Sequence, residues 1–385
     1  MNYLKTGLIG AGFIGKQHIE AIRRIPGSEV VAVADNNADM ARQVAEQFFI
    51  PKWYGDYREL LADPEVALVH NCTPSSSHYG VNKEAVAAGK HIYCEKPLTL
   101  TADEAAELVV LAREAGVAAG VNLNYRHNAM VKEMRERAAD GLGRVHLAYG
   151  EYLQDWLMYD TDYDWRMNPA IGGESRAVAD IGSHCFDTLQ YILGKRIVSV
   201  YADMITVFPV RKRCETTGET FSGAAGRVVE EIATTQEDAA SILLRFEDGT
   251  PGLVHVSQVC GGRKNGLAVT ISGEEYSMEW RQEQADRLEL GYRNQPNGEI
   301  YADAKLLSPG ARKFATLPGG HAVAWHDAFR NAIGVFHEAV RTGSHRAGVV
   351  DYADFFAGLH IMRLVEACME SGRRKSWVDI PLGTP

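Results

Sequence analysis

The chain has 385 residues, 46% of them hydrophobic and 23% charged, with a formal net charge of −10. That length suits two domains, each with a core of its own, and the composition is that of an ordinary globular protein needing no disulfide staples. The acidic balance argues against nucleic acid or an anionic membrane as partner, since both are bound through clustered cations, and the short basic run Arg211-Lys-Arg213 reads as a solvated loop.

Leu4 to Ile9 reads as an apolar strand, and Gly10-Ala-Gly12-Phe-Ile-Gly15 follows at once. From Phe13 to Ile25 the residues Ile14, His18, Ala21, Ile22 and Ile25 recur at helical spacing, and Val30 to Ala34 is a second strand ending in Asp35. In such a unit Gly10 allows the tight turn, Gly12 lets the backbone approach a pyrophosphate, and Gly15 lets the helix sit close on the strands. The helix N-terminus, with Phe13 and Ile14, then faces the phosphate charge. Asp35 is placed to accept hydrogen bonds from both ribose hydroxyls and to repel a 2'-phosphate, so the expected cofactor is NAD rather than NADP.

Helices at Ala38 to Gln47 and Tyr57 to Leu61 lead to a strand, Ala67 to Asn71, that stops at Cys72-Thr73-Pro74-Ser75-Ser76-Ser77-His78. A strand end of this kind is where ribose and nicotinamide lie, which marks Thr73, Pro74 and His78; a plain loop with a helix cap among the serines is the alternative. Helix Tyr79 to Ala88, strand His91 to Cys94, helix Ala102 to Ala115 stopped by Gly116, and strand Val117 to Asn122 complete a doubly wound parallel sheet of six strands. The expected class is α/β, with a Rossmann domain over residues 1–123.

After Asn122 the pattern changes, and residues 124–385 are expected to form an α+β domain. A helix from Ala129 to Ala139 precedes strand-like runs at Val145–Trp156, Val198–Phe208, Ala240–Phe246, Gly252–Val259, Leu267–Ser272, Tyr276–Trp280 and Arg287–Leu290. Asp248-Gly249 between two of them signals a hairpin, and together they predict a large, mostly antiparallel sheet open on one face. Lys212 to Thr235, rich in Thr, Gly and Ser, reads as a long loop or insertion. Two late helices, Ala322–Arg341 and Tyr352–Ser371, carry apolar faces suited to a core.

Two further stretches carry chemistry. Lys96 of Glu95-Lys96-Pro97 directly follows a strand of the first domain, where an ammonium can hydrogen-bond a reacting hydroxyl and stabilise alkoxide charge; an ordinary surface Glu/Lys pair is the plain alternative. Gly172-Gly173 through Asp180-Ile-Gly182-Ser-His184 leads into a helix from His184 to Leu193, and Asp180 and His184 share a face if the turn at Gly182 is helical. A histidine there suits removal of a hydroxyl proton; the alternative is a helix cap at Asp180 or Ser183 with His184 packed on the sheet.

The glycine turn, Glu95-Lys96-Pro97, Asn124-Tyr125-Arg126 and Gly173 through Asp180-x-Gly182-x-His184 together resemble, in order and spacing, the glucose-fructose oxidoreductase, inositol dehydrogenase and rhizopine-catabolism (Gfo/Idh/MocA) family, over essentially the whole chain. The resemblance implies hydride transfer from a secondary hydroxyl of a sugar (a pyranose, anhydrosugar or glycoside) or cyclic polyol to NAD. Lys96 and Asp180 would grip the reacting hydroxyl and His184 would be the base, with the chemistry at the domain seam and Lys96-Pro97 often cis. It also implies cofactor contacts from Glu95, Lys96, Asn124 and Arg166, and a sugar contact from Tyr125. Gln154-Asp-Trp156 and Asp164-Trp165-Arg166 look like the sugar-facing segments of levoglucosan dehydrogenase-like members, and His321 of Gly319-Gly320-His321 adds a further candidate contact; packing at the sheet edge is the alternative for the aromatics.

A redox-neutral NAD-dependent glycoside-cleaving enzyme, an aldose C1 dehydrogenase and a non-enzymatic NAD-sensing module stand as alternatives. Six scattered cysteines, without metal-ligand spacing, point to a reducing compartment and no metal. A start that runs straight into the first strand and the lack of a bilayer-length apolar run lead to the expectation of a cytoplasmic protein. The open sheet leads to the expectation of a homodimer or homotetramer.

Overall fold

In the computed structural model, which describes residues 3–217, 224–348 and 350–383, the chain forms two compact units. The first comprises residues 1–124 with 329–362, and the second residues 125–328 with 363–382.

The first unit is built on the alternation of its opening residues: β1 (Leu4–Ile9), α1 (Phe13–Arg23), β2 (Ser28–Ala34), α2 (Ala38–Gln47), β3 (Lys52–Tyr54), α3 (Tyr57–Ala62), β4 (Leu68–Asn71), α4 (Ser75–Ala87), β5 (His91–Cys94), α5 (Ala102–Ala115) and β6 (Ala119–Val121). The strands lie in the order β3-β2-β1-β4-β5-β6, all parallel. Adjacent β1 and β4 lead into α1 and α4, and their carboxyl ends form the crevice where doubly wound sheets bind ligands. Leu8, Val33, Leu68, Val69 and Ile92 are fully buried, as strands covered on both faces must be. The helices begin and end on their expected signals: Asn37 accepts from the Met40 amide, Thr101 from the Glu104 amide, and Gly116 closes α5 at φ 64°. Helix α4 begins at Ser75, four residues before the expected Tyr79, because Pro74 supplies an extended N-cap and the serines form the first turn.

The second unit contains α6 (Ala129–Ala139), β7 (Val145–Leu153), α7 (Pro169–Gly172), a π-helical turn (Val178–Gly182), α8 (Ser183–Leu193), β8 (Ile197–Ile205), β9 (Val210–Thr217), β10 (Ala224–Ala233), β11 (Ala239–Phe246), β12 (Pro251–Ser257), β13 (Gly266–Gly273), β14 (Ser277–Arg281), β15 (Arg287–Gly291), β16 (Gly298–Tyr301) and α9 (Pro309–Arg312). Helices α10 (Trp325–Thr342) and α11 (Phe355–Arg374) and strand β17 (Val378–Asp379) follow. Nine strands form one sheet, β16-β15-β14-β13-β7-β12-β11-β8-β17, antiparallel except for β7 beside β12. Helix α8 packs on one face, where Gly150 of β7 leaves the room that Cys185 fills. The opposite face keeps apolar side chains in the open: Leu147 of β7 and Leu243 of β11 are each 45% exposed.

The stretch expected as a loop from Lys212 to Thr235 is instead an antiparallel ribbon of β9 and β10. Its small polar residues hid strands that need no apolar alternation, because the ribbon is held by backbone pairing and by an Arg213–Glu230 ion pair across it. Residues 218–223 of that stretch lie outside the described residues. No helix among the described residues is long and apolar enough to cross a membrane.

Candidate functional site

In the first unit the singled-out residues gather at the carboxyl ends of the strands. Gly10 has φ 99°, and a side chain there would strike the Cys72 backbone; a Cβ on Gly15 would lie 2.1 Å from the Gly10 carbonyl oxygen, so only glycine lets α1 sit this close. Gly12 is the N-cap of α1 without a side-chain cap, and a Cβ on it meets nothing within 4 Å. The first-turn amides of a helix, here those of Phe13, Ile14 and Gly15, point outward from its N-terminus, and Phe13 itself is exposed. Asp35 accepts from the Ala11 amide at 2.8 Å and the Asn37 amide at 2.9 Å, which fixes its carboxylate beside the turn with lone pairs to spare. Thr73 hydrogen-bonds Asn71 at 2.7 Å. These features fit an anionic dinucleotide, as does Asn124 after β6, whose buried Nδ2 has no acceptor among the described residues.

Glu95 and Lys96 follow β5, and the Lys96-Pro97 peptide is cis. The His78 ring is buried, with its nitrogens 2.6 Å from the Pro97 carbonyl and 2.8 Å from the Thr73 carbonyl, so it braces those two loops against each other. The Glu95 carboxylate turns inward, accepting from Asn122 Nδ2 at 2.6 Å and lying 2.9 Å from His18 Nε2. Burial opposes its charge, but the His18 hydrogen bond and charge, Asn122 and Lys96 outweigh burial and hold its pKa at about 2.

In the second unit the π-helical turn carries Asp180 straight into α8, so Asp180 and His184 lie on consecutive helical turns. Gln258 Nε2 donates to Asp180 Oδ2 at 2.8 Å, and Arg166 Nε lies 3.8 Å from Oδ1. Asp164 holds the Arg166 side chain at 2.9 Å, and the guanidinium stacks 4.4 Å from the Trp165 ring and 5.9 Å from that of Trp156. Trp156 Nε1 donates to Gln154 at 3.0 Å. Tyr125 and Tyr152 share a hydroxyl–hydroxyl hydrogen bond of 2.9 Å, Asn265 hydrogen-bonds both, and the Tyr125 ring stands edge-on to His184 with centroids 4.9 Å apart. Burial first, and the Asp180 charge among lesser causes, raise the pKa of both phenols, which stay protonated donors.

His321 is exposed, and its Nδ1 lies 3.0 Å from the Pro318 carbonyl. Tyr152, Gln258 and Asn265 escaped the sequence reading. Tyr152 sat within an alternating strand, and Gln258, wholly buried just past the end of β12, breaks the alternation that Val254 and Val256 set up and was the one legible signal. Gln236, also missed, donates to the carbonyls of Arg166 and Gly173 and so fixes the Arg166 segment.

A family model described as an oxidoreductase family with NAD-binding Rossmann fold (GFO_IDH_MocA) matches residues 4–123, and one described as the GFO/IDH/MocA C-terminal domain matches residues 131–279. Levoglucosan dehydrogenase of Pseudarthrobacter phenanthrenivorans is 27% identical over 405 aligned positions, spanning 99% of this chain and 99% of that protein. Trans-1,2-dihydrobenzene-1,2-diol dehydrogenase of Mus musculus is 31% identical over 68% of this chain and 69% of its own. Among solved structures, levoglucosan dehydrogenase in complex with NADH and L-sorbose has a TM-score of 0.88 at 26% identity, covering 99% of this chain and 100% of that one.

Proposed function

Because the chain belongs to the Gfo/Idh/MocA oxidoreductase family, with an NAD-binding Rossmann domain, we propose that it oxidises a secondary hydroxyl of a sugar or cyclic polyol at the expense of NAD. The observation that carries this reading is the grouping in the second unit: one carboxylate, Asp180, held by Gln258 and Arg166, beside two buried tyrosine hydroxyls and the His184 ring. Directional donors and acceptors beside the flat faces of Trp156 and Trp165 suit an uncharged ring bearing several hydroxyls.

NAD, when bound, supplies the hydride acceptor. His184 takes the hydroxyl proton, Asp180 accepts a hydrogen bond from the sugar and orients it, and Arg166 and Gln154 hold neighbouring hydroxyls. Lys96, carried over from the family motif, supplies the positive charge that stabilises the alkoxide as the C–H bond weakens. The test is a panel of pyranosides, anhydrosugars and inositols incubated with NAD and followed by NADH absorbance. At least one class is expected to give steady turnover. No NADH from any of them, and no NADH oxidation with the matching keto sugars, sinks the reading.

A further inference from the structure

A line of buried side chains runs through the first unit that the proposed chemistry leaves unused. Ser28 Oγ lies 2.8 Å from His337 Nδ1, His337 Nε2 2.9 Å from His70 Nε2, His70 Nδ1 2.7 Å from His18 Nδ1, and His18 Nε2 2.9 Å from Glu95 Oε1. The three rings are 0% exposed. The line's ends stand at opposite edges of the parallel sheet, for Ser28 opens β2 while Glu95 follows β5 and adjoins Lys96.

The contacts dictate where protons sit. Two ring nitrogens at such distances form a hydrogen bond only when one carries a proton and the other a lone pair, and a neutral imidazole has one of each. A carboxylate at Glu95 requires a proton on His18 Nε2. Of the arrangements that satisfy every contact, one has three neutral rings and the others carry one further proton on any one ring; among these the adjacent Glu95 carboxylate favours His18, which leaves two. In one, His18 is neutral: its Nδ1 accepts from His70, His70 Nε2 accepts from His337, and His337 Nδ1 accepts from the Ser28 hydroxyl. In the other, His18 carries both protons and each bond is reversed, ending with His337 Nδ1–H donating to Ser28 Oγ. The states differ by one proton. A proton entering at Ser28 displaces the next at each ring and appears as positive charge on His18, while His70 and His337 remain neutral throughout.

We propose that Ser28, His337, His70 and His18 form a proton wire that sets the charge beside Lys96 from the opposite edge of the sheet. With the extra proton on board, His18 offsets the Glu95 carboxylate; with the proton gone through Ser28, that carboxylate is left as a full countercharge to Lys96. This rests on the role proposed above for Lys96, and the wire residues act through it as positioning residues. Burial, with the neighbouring imidazoles, keeps the His70 ring well below the ordinary histidine range, and burial holds that of His337 at about 3, in keeping with rings that pass protons without storing charge. The titratable groups facing the line are few: Tyr93 against His18 and His70, Arg341 toward His337, and Cys72, Cys94 and His78 around Glu95.

The test is histidine-selective ¹⁵N NMR on the full-length protein with NADH bound, titrated over the range in which imidazoles change charge. His70 and His337 are expected to exchange which nitrogen is protonated at one common midpoint, where His18 gains its second proton. Ser28→Ala is expected to lower that midpoint by about half a pH unit or more, because an orphaned buried N–H on His337 is worse than an orphaned lone pair, and Ser28→Thr to restore it. A matching displacement is expected in the pH profile of kcat with little change in KM. Independent midpoints, no exchange of tautomer, or kcat profiles that superimpose for wild type and Ser28→Ala each overturn the wire. The NMR readout needs no substrate, so an empty polyol panel removes the proposed reaction and leaves the wire to be decided on its own.

Discussion

Replacing Gly12 with alanine separates a cofactor defect from a folding defect. Gly12 has φ −69° and ψ −166°, a conformation any L-residue adopts, and its added methyl meets no protein atom within 4 Å. The folded state should therefore lose at most about 1 kcal/mol, the usual cost of alanine at a helix N-cap, or roughly 2–4 °C in Tm. The same methyl fills the space through which a pyrophosphate reaches the amides of α1. Losing two charge-assisted hydrogen bonds, at about 1.5 kcal/mol each, weakens NADH binding by roughly a hundredfold. Fluorescence titration with NADH beside calorimetric unfolding measures both quantities on one sample. Gly15→Ala is the control with the opposite outcome, since its Cβ would lie 2.1 Å from a backbone oxygen and should prevent folding. A Gly12→Ala protein that binds NADH within threefold of wild type would refute the placement of the phosphates at this turn.

Asp35 should favour NADH over NADPH by at least about tenfold, and Asp35→Ser should narrow that ratio; equal dissociation constants for the wild type would contradict it. His184→Ala should lower kcat by about 10²- to 10⁴-fold, with partial recovery as pH rises, whereas Lys96→Ala should lose turnover without that recovery; steady-state profiles from pH 6 to 10 distinguish them. Acid should destabilise the first unit early. His70 and His337 have folded pKa values below their unfolded value, so the unfolded chain binds more protons as pH falls. Their stabilisation is complete above about pH 6.5 and lost below it at about 1.4 kcal/mol per pH unit for each ring, until the folded pKa is reached, about 3 for His337. Urea midpoints at pH 7.0, 6.0 and 5.0 should show this slope, and a flat series would not agree with neutral buried rings. The exposed face carrying Leu147 and Leu243 should bury itself in a homo-oligomer, so light scattering of the wild type should give a multiple of the chain mass and Leu243→Glu should reduce it.

Much of this was legible in the sequence because local signals and tertiary demands agree there. In the opening unit the glycines, Asp35 and the apolar runs each have one physical explanation, and β1, α1 and β2 fall where those residues put them. The ribbon of β9 and β10 was not legible, since apart from Arg211 and Cys214 its described side chains are mostly exposed and give no apolar alternation to read. The grip of Gln258 on Asp180 joins residues 78 positions apart, and the line from Ser28 to Glu95 joins three histidines whose separations along the chain follow no motif. Chemistry of that kind is fixed by sheet order, which periodicity does not encode.

The π-helical turn at Val178–Gly182 has a bearing on how this site can change over evolutionary time. Such turns hold one residue more than an α-helical turn over the same rise. Deleting Ile181 or Gly182 would restore the α register and leave Asp180 and His184 three residues apart rather than four, with both side chains still present. The pairing is thus stored in a count of residues as much as in their identities. In an alignment of relatives, a one-position gap at this turn would mark a changed spacing between these two side chains.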